Sequence, residues 1–220
     1  MTQAPVIFVV AGEPSGDQHA AMLGEALRRR APVRLCGVGQ QGMRQAGFEL
    51  LYDSSDWGGI GICQSAGRYP RLVGRAYDIA RWLVRHQPDL LVLVDFGAFN
   101  VWLARKVRQR AAIPVLYYFP PRSWNRQASG YRRLAGVIDH WVTPFDWSAE
   151  ILRREGLDAT WVGHPVVDRI QPAPDRTALR RELGLDPDRP LLGLLPGSRR
   201  YEVGPNAPQM LRAARIMRQH

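Results

Sequence analysis

The sequence predicts an α/β protein built on a Rossmann-like, doubly wound parallel sheet. Three observations lead there. Apolar strand-like runs alternate with helical patterns along almost the whole length. Those runs are continuous rather than alternating, as strands covered on both faces require. Polar, glycine-bearing loops follow them, where open α/β sheets carry their ligand sites. Hydrophobic residues fill 45% of the 220 positions without low-complexity tracts or internal repeats, so a sizeable core can form.

Taken in order, VIFVVA (6–11) precedes a helix from about Asp17 to Arg30, and VRLCGV precedes a short helix at Gln41–Gln45. FELL is the next strand. A longer helix runs from about Pro70 to His86, with Tyr69, Leu72, Val73, Ala76, Tyr77, Ala80, Leu83 and Val84 on one face. Then follow LLVLVDF, a helix from about Phe99 to Arg110, PVLYYF, a polar segment, VIDHWVT, a helix near Ser148–Glu155, and ATWVG. The composition shifts at HPVVDRIQPAPDR, whose prolines near Ala173 read as a connection between domains. The predicted division is 1–165 and 166–220. In the second part TALRRELGL is helical, PLLGLLPGSRR is strand then loop, and NAPQMLRAARIMRQH opens another helix. That is the beginning of a second Rossmann-like domain, truncated before its core could close.

The net charge of +10 is carried by arginine, with Lys106 the sole lysine. Such a surface attracts phosphorylated ligands or anionic lipid, or it reflects genomic base composition. Nucleic acid is disfavoured because the arginines are scattered and no recognition motif is present. Cys36 and Cys63 have no metal-ligand spacing and form no disulfide framework, which suits buried thiols in a reducing compartment. The N-terminal apolar run lacks a preceding basic segment and reaches a polar turn within a few residues, so it reads as a strand. No run approaches the roughly 18 apolar residues of a membrane span. A cytoplasmic protein, soluble or peripheral, is expected.

The loop AGEPSGD raises a local question. Ser15 and Gln18 have capping-box spacing, and Asp17 suits the positive end of a helix. Glu13 lies before the expected N-cap, where it can reach a substrate. The division expected is Glu13 for the ligand, with Ser15 and Asp17 mainly building the turn.

Four ordered stretches, AGEPSGD (11–17), GRYPRL (67–72), WVGHPVVD (161–168) and LLPGSRRYEV (194–203), resemble the lipid-A-disaccharide synthase family. Weaker echoes are GVGQQGM, VDFGAFN and YYFPPRSW. The resemblance implies a GT-B glycosyltransferase with two Rossmann-like domains, joining UDP-2,3-diacylglucosamine to 2,3-diacylglucosamine 1-phosphate and releasing UDP. It also implies a peripheral location on the inner face of the cytoplasmic membrane, and no cofactor. The chain departs from the family pattern at Ala98, Gln64 and Arg126, where acidic residues or tryptophan are usual. These departures fall on the acceptor side and keep a different lipid acceptor open, as does a non-catalytic lipid-binding domain.

An inverting sugar transfer needs a base for the acceptor hydroxyl, in-line geometry and stabilisation of the leaving diphosphate. Asp95, at the end of LLVLV, is the candidate base, with Glu13 beside it as the second catalytic carboxylate; Asp95 could instead cap the following turn. Ser15, Asp17, Asn100, Trp124 and His164 are the substrate-binding candidates, His164 alternatively fixing its own GHP turn. Ser198, Arg199 and Glu202 match the family's donor-phosphate turn, and a permanent arginine cation there makes a metal unnecessary. Trp57, Ile62, Arg68 and Arg71 are expected to contact lipid, although a buried loop followed by a solvated basic helix fits the same residues. For the isolated chain the expectation is acceptor binding without turnover of a UDP-sugar.

Overall fold

The computed structural model describes residues 4–57, 69–120, 129–170, 175–197 and 200–218. The chain divides into two compact units, Met1–Val167 and Asp168–His220.

In the first unit the elements alternate as the apolar runs predict. They are β1 (Val6–Ala11), α1 (Pro14–Arg30), β2 (Arg34–Gly39), α2 (Gln41–Gln45), β3 (Glu49–Asp53), α3 (Tyr69–His86) and β4 (Leu90–Val94). Then come α4 (Gly97–Arg108), β5 (Val115–Tyr118), α5 (Ser129–Arg132), β6 (His140–Thr143), α6 (Asp146–Arg154) and β7 (Ala159–Trp161); the short α7 (Val166–Arg169) includes the last residues of the first unit and the first of the second. Among the described residues one seven-stranded sheet forms, in the order β3-β2-β1-β4-β5-β6-β7. Every pairing is parallel. The direction of winding reverses between β1 and β4, which pair in a register that runs from Ile7↔Leu90 to Ala11↔Val94.

Strand alternation sends neighbouring side chains to opposite faces, and each face has its own core. Phe8, Val10, Leu91, Leu93, Val115 and Tyr117 join Ile79, Leu83 and Leu103 from α3 and α4. On the other face Ile7, Val9, Ala11, Val92 and Val94 pack with Ala20, Ala21 and Met43 from α1 and α2. Both faces being covered explains why the strands read as unbroken apolar runs.

Two local expectations are corrected. Helix α1 begins at Pro14, not near Asp17, because proline's fixed φ and missing N–H suit the first helical position. Glu13 is therefore the N-cap residue itself and makes no side-chain cap hydrogen bond, so Ser15 and Gln18 do not occupy the N-cap and N3 positions of a capping box. The second correction lies in the other unit. There α8 (Arg176–Glu182) is capped by Asp175, which accepts from Thr177 N at 2.8 Å and Ala178 N at 3.0 Å, and α9 spans Arg200–Met217. Among the described residues the expected strand at 190–195 does not form: the segment carries no ladder pairing there, and Leu191, Leu192, Leu194 and Leu195 are exposed. A strand exists only through its neighbours, and apolar composition cannot substitute for a paired backbone.

Candidate active site at the sheet switch point

The winding reverses between β1 and β4, and the C-terminal ends of two such strands are the usual ligand position of this fold. Glu13 follows β1 and Asp95 follows β4, so the two candidate catalytic carboxylates stand on loops that leave paired strands. Both are partly accessible, and Ser15 is exposed on the first turn of α1.

The turn after β4 is conformationally unusual. Asp95 and Phe96 have φ of 46° and 47°, and Phe119 at the end of β5 has φ of 58°. Left-handed backbone at non-glycine residues costs about 1–3 kcal/mol each and persists only where surrounding contacts hold it. Here those contacts are identifiable. The Tyr117 hydroxyl donates to the Asp95 carbonyl at 2.7 Å, and Asn100 Nδ2 donates to the same oxygen at 2.8 Å and to Val94 O at 3.2 Å. The Asp95 N–H donates to Tyr118 O at 3.3 Å. Phe96 lies with its ring over Gly12, where a Cβ would come within 2.3 Å of the ring, and only glycine leaves that space. Burial above all, and then the Asp95 charge, hold the Tyr117 phenol well above its usual range, while a hydrogen bond with Asn100 acts the other way. Tyr117 is thus a protonated donor at any working pH. Asn100, expected to bind substrate, is fully buried and holds the turn from beneath.

Asp17 is also part of the scaffold. It is 5% exposed, and its carboxylate accepts from Gln40 N at 2.6 Å, Gly42 N at 2.8 Å and Met43 N at 3.1 Å. The helix end it stabilises is that of α2, not that of its own helix. Gly42 has no alternative, since a Cβ there would sit 2.6 Å from Asp17 Oδ2. Buried Ser54 completes the tie by donating from Oγ to Ala11 O at 2.8 Å.

His164 follows β7, and its Nδ1 accepts from Val166 N at 3.2 Å, fixing the GHP turn. An accepting Nδ1 leaves the neutral ring's proton on Nε2. Its ring lies 5.6 Å from that of His19, 6.0 Å from Phe119 and 6.0 Å from Phe145. His19 in turn meets Phe119 edge-on at 5.1 Å. The residues following β5, β6 and β7 therefore converge on α1 through His19, which sequence reasoning overlooked. Its signal was available: His19 is four positions after Ser15 and shares its helix face.

The lipid-contact expectation needs one correction. Trp57 is only 7% exposed, with its ring 5.4 Å from Phe99 and 6.3 Å from Phe96, so it belongs to the core beneath the β4 turn. Arg71 is exposed on α3 and shares an open hollow with Arg75 and Asp78; Arg75 itself stacks 4.1 Å over the Tyr52 ring. Ile62, Arg68, Gln64, Trp124 and Arg126 lie outside the described residues. So do Ser198 and Arg199. In the second unit Glu202 lies close to Gly197, which has φ of 118° and whose added Cβ would come within 2.7 Å of Glu202 Oε2. Asn206 Nδ2 donates to Pro196 O at 3.0 Å from the same helix. Among the described residues, no group of three His, Cys, Asp or Glu side chains is placed to hold a metal, and no helix is long and apolar enough to cross a membrane.

An all-parallel sheet whose winding reverses between β1 and β4 defines a doubly wound, Rossmann-like domain. Solved structures share that fold. UDP-N-acetylglucosamine 2-epimerase from Rickettsia bellii superimposes with a TM-score of 0.52 at 15% identity, over 83% of this chain and 52% of the epimerase. Anabaena HepE, solved with UDP and glucose, gives 0.51 at 12% identity over 83% of this chain and 50% of its own. The family model described as lipid-A-disaccharide synthetase matches residues 7–220, and the chain belongs to that family. Lipid-A-disaccharide synthase of Myxococcus xanthus is 38% identical over 217 residues, covering 98% of this chain and 56% of the relative. That of Geobacter sulfurreducens is 37% identical over 215 residues, covering 97% and 56%. The chain thus spans little more than half the length of these curated relatives.

Proposed function

We propose that this chain provides the acceptor side of an inverting hexosyltransferase that forms the lipid A disaccharide. The donor is UDP-2,3-diacylglucosamine and the acceptor 2,3-diacylglucosamine 1-phosphate. Family membership supports the reaction, and the pairing of β1 with β4 supports the roles, because Glu13 and Asp95 follow those two adjacent strands. Asp95 takes the proton of the acceptor hydroxyl as that oxygen attacks the anomeric carbon, and UDP leaves with the electron pair of the broken glycosidic bond. Glu13 and Ser15, on the first turn of α1, orient the acceptor. His164 can offer its Nε2 proton to a sugar or phosphate oxygen. Ser198 and Arg199, positioned by Glu202, neutralise the departing diphosphate. Arg71, with Ile62 and Arg68, meets an anionic bilayer on the inner face of the cytoplasmic membrane.

A second acceptor is favoured by one observation. Ala98 is exposed on the first turn of α4, next to Asp95, where the family pattern that VDFGAFN resembles has a second acid. An acceptor with fewer hydroxyl groups to hold fits that surface.

The test is UDP release by the full-length product of the reading frame, with the diacylated donor and acceptor and with other lipid acceptors in parallel. Asp95→Asn is expected to lower the rate by about 10²–10⁴-fold, the usual contribution of a positioned base. An Asp95→Asn protein of undiminished rate would remove Asp95 from the mechanism.

A further inference from the structure

We infer that Tyr117 is a positioning residue for transfer, acting through the backbone of Asp95, with Asn100 as its partner. The inference rests on the reading of Asp95 as the acceptor base.

Its ground is the way one peptide is held on both sides. Consecutive residues of β5 grip Asp95: the Tyr118 carbonyl accepts its N–H at 3.3 Å, and the Tyr117 hydroxyl donates to its C=O at 2.7 Å. Asn100, from α4, gives that carbonyl a second donor at 2.8 Å. The residue so held is left-handed, with φ of 46°, and is followed by another at 47°. With the peptide fixed, the carboxylate direction depends on two side-chain torsions alone. Tyr117 and Asn100 are both fully buried, so neither can touch a ligand at the strand ends, and their effect must pass through Asp95. A tyrosine hydroxyl in a parallel strand core is otherwise a poor choice, since phenylalanine fills the same space without a polar atom to satisfy. Nor does the strand need it, because the Tyr117 backbone is already paired with Leu93 and Trp141.

Removing the hydroxyl should therefore disturb chemistry more than folding or binding. In the full-length protein, Tyr117→Phe is expected to lower kcat about tenfold, leave the acceptor KM within about twofold, and shift the acidic limb of the kcat pH profile. Asn100→Ser should follow the same pattern and serves if Tyr117→Phe folds poorly. The Asp95→Asn/Tyr117→Phe double variant should be no slower than Asp95→Asn alone, because a residue acting through Asp95 has nothing left to position. An unchanged kcat and pH profile in Tyr117→Phe, or a double variant that multiplies the two losses, overturns the inference while leaving Asp95 as base. Full rate in Asp95→Asn, or no turnover by the wild-type protein, overturns the catalytic reading and this inference with it.

Discussion

Replacing Asp17 by asparagine separates a scaffold carboxylate from a substrate ligand. Three backbone N–H groups, at 2.6, 2.8 and 3.1 Å, converge on its two oxygens. Hydrogen bonds to an ionised acceptor are worth about 1.5–3 kcal/mol each, and those sharing one carboxylate do not add. Asparagine keeps one acceptor oxygen and turns an NH2 group toward at least one backbone donor, so a loss of about 2–3 kcal/mol is expected. With a urea slope of about 2 kcal/mol per molar, the unfolding midpoint should fall by about 1–1.5 M. Tryptophan fluorescence and far-ultraviolet circular dichroism report the transition together. Acceptor lipid binding by the folded variant should be close to wild type. A midpoint within about 0.3 M of wild type, with lipid binding abolished, would refute the argument and return Asp17 to the ligand.

Cys36 is buried, and burial pushes its thiol up to about 11, with Arg34 pulling it down. In a Cys63→Ser background it should resist an aromatic disulfide reagent at pH 8 until urea unfolds the chain; rapid reaction in the native state would contradict its burial. Because the folded-state value is raised, this thiol's contribution to stability is complete below the ordinary value of 9.0 and is lost as pH rises through about 11. Urea midpoints measured at pH 8.5 and 11 in Cys36 and Cys36→Ala proteins check that sign. At the membrane, an Ile62→Ala/Arg71→Ala protein should co-sediment less with phosphatidylglycerol vesicles, and high salt should weaken the wild type; insensitivity to both would remove this region from the lipid surface.

Strands of the first unit were legible because burial on both faces writes itself as uninterrupted apolar sequence. Their C-terminal ends, and so Glu13 and Asp95, followed directly. Asp17 shows where that reading stops. Its partners lie 23 to 26 residues away, and nothing near GDQ in the chain reveals them. The left-handed pair Asp95–Phe96 carries no glycine to advertise it; it is imposed by Tyr117, 22 residues on. Trp57 misled for the opposite reason, since a tryptophan among glycines and arginines looks interfacial until Phe96 and Phe99 are found around it. The leucines at 191–195 suggested a strand, but hydrophobicity states only what a segment could bury, not which ladder it joins.

The grip of β5 on the turn after β4 also orders events as the chain folds. The chain between β4 and β5 is far shorter than the chain between β1 and β4, so loop closure favours docking β5 on β4 before β1 joins them. The strained turn cannot settle until the Tyr117 hydroxyl and Tyr118 carbonyl are docked, so its conformation depends on β5 rather than on β4 alone. Native-state hydrogen exchange should find the Asp95 amide opening with β5, in the same cooperative unit, rather than with the strand that carries it.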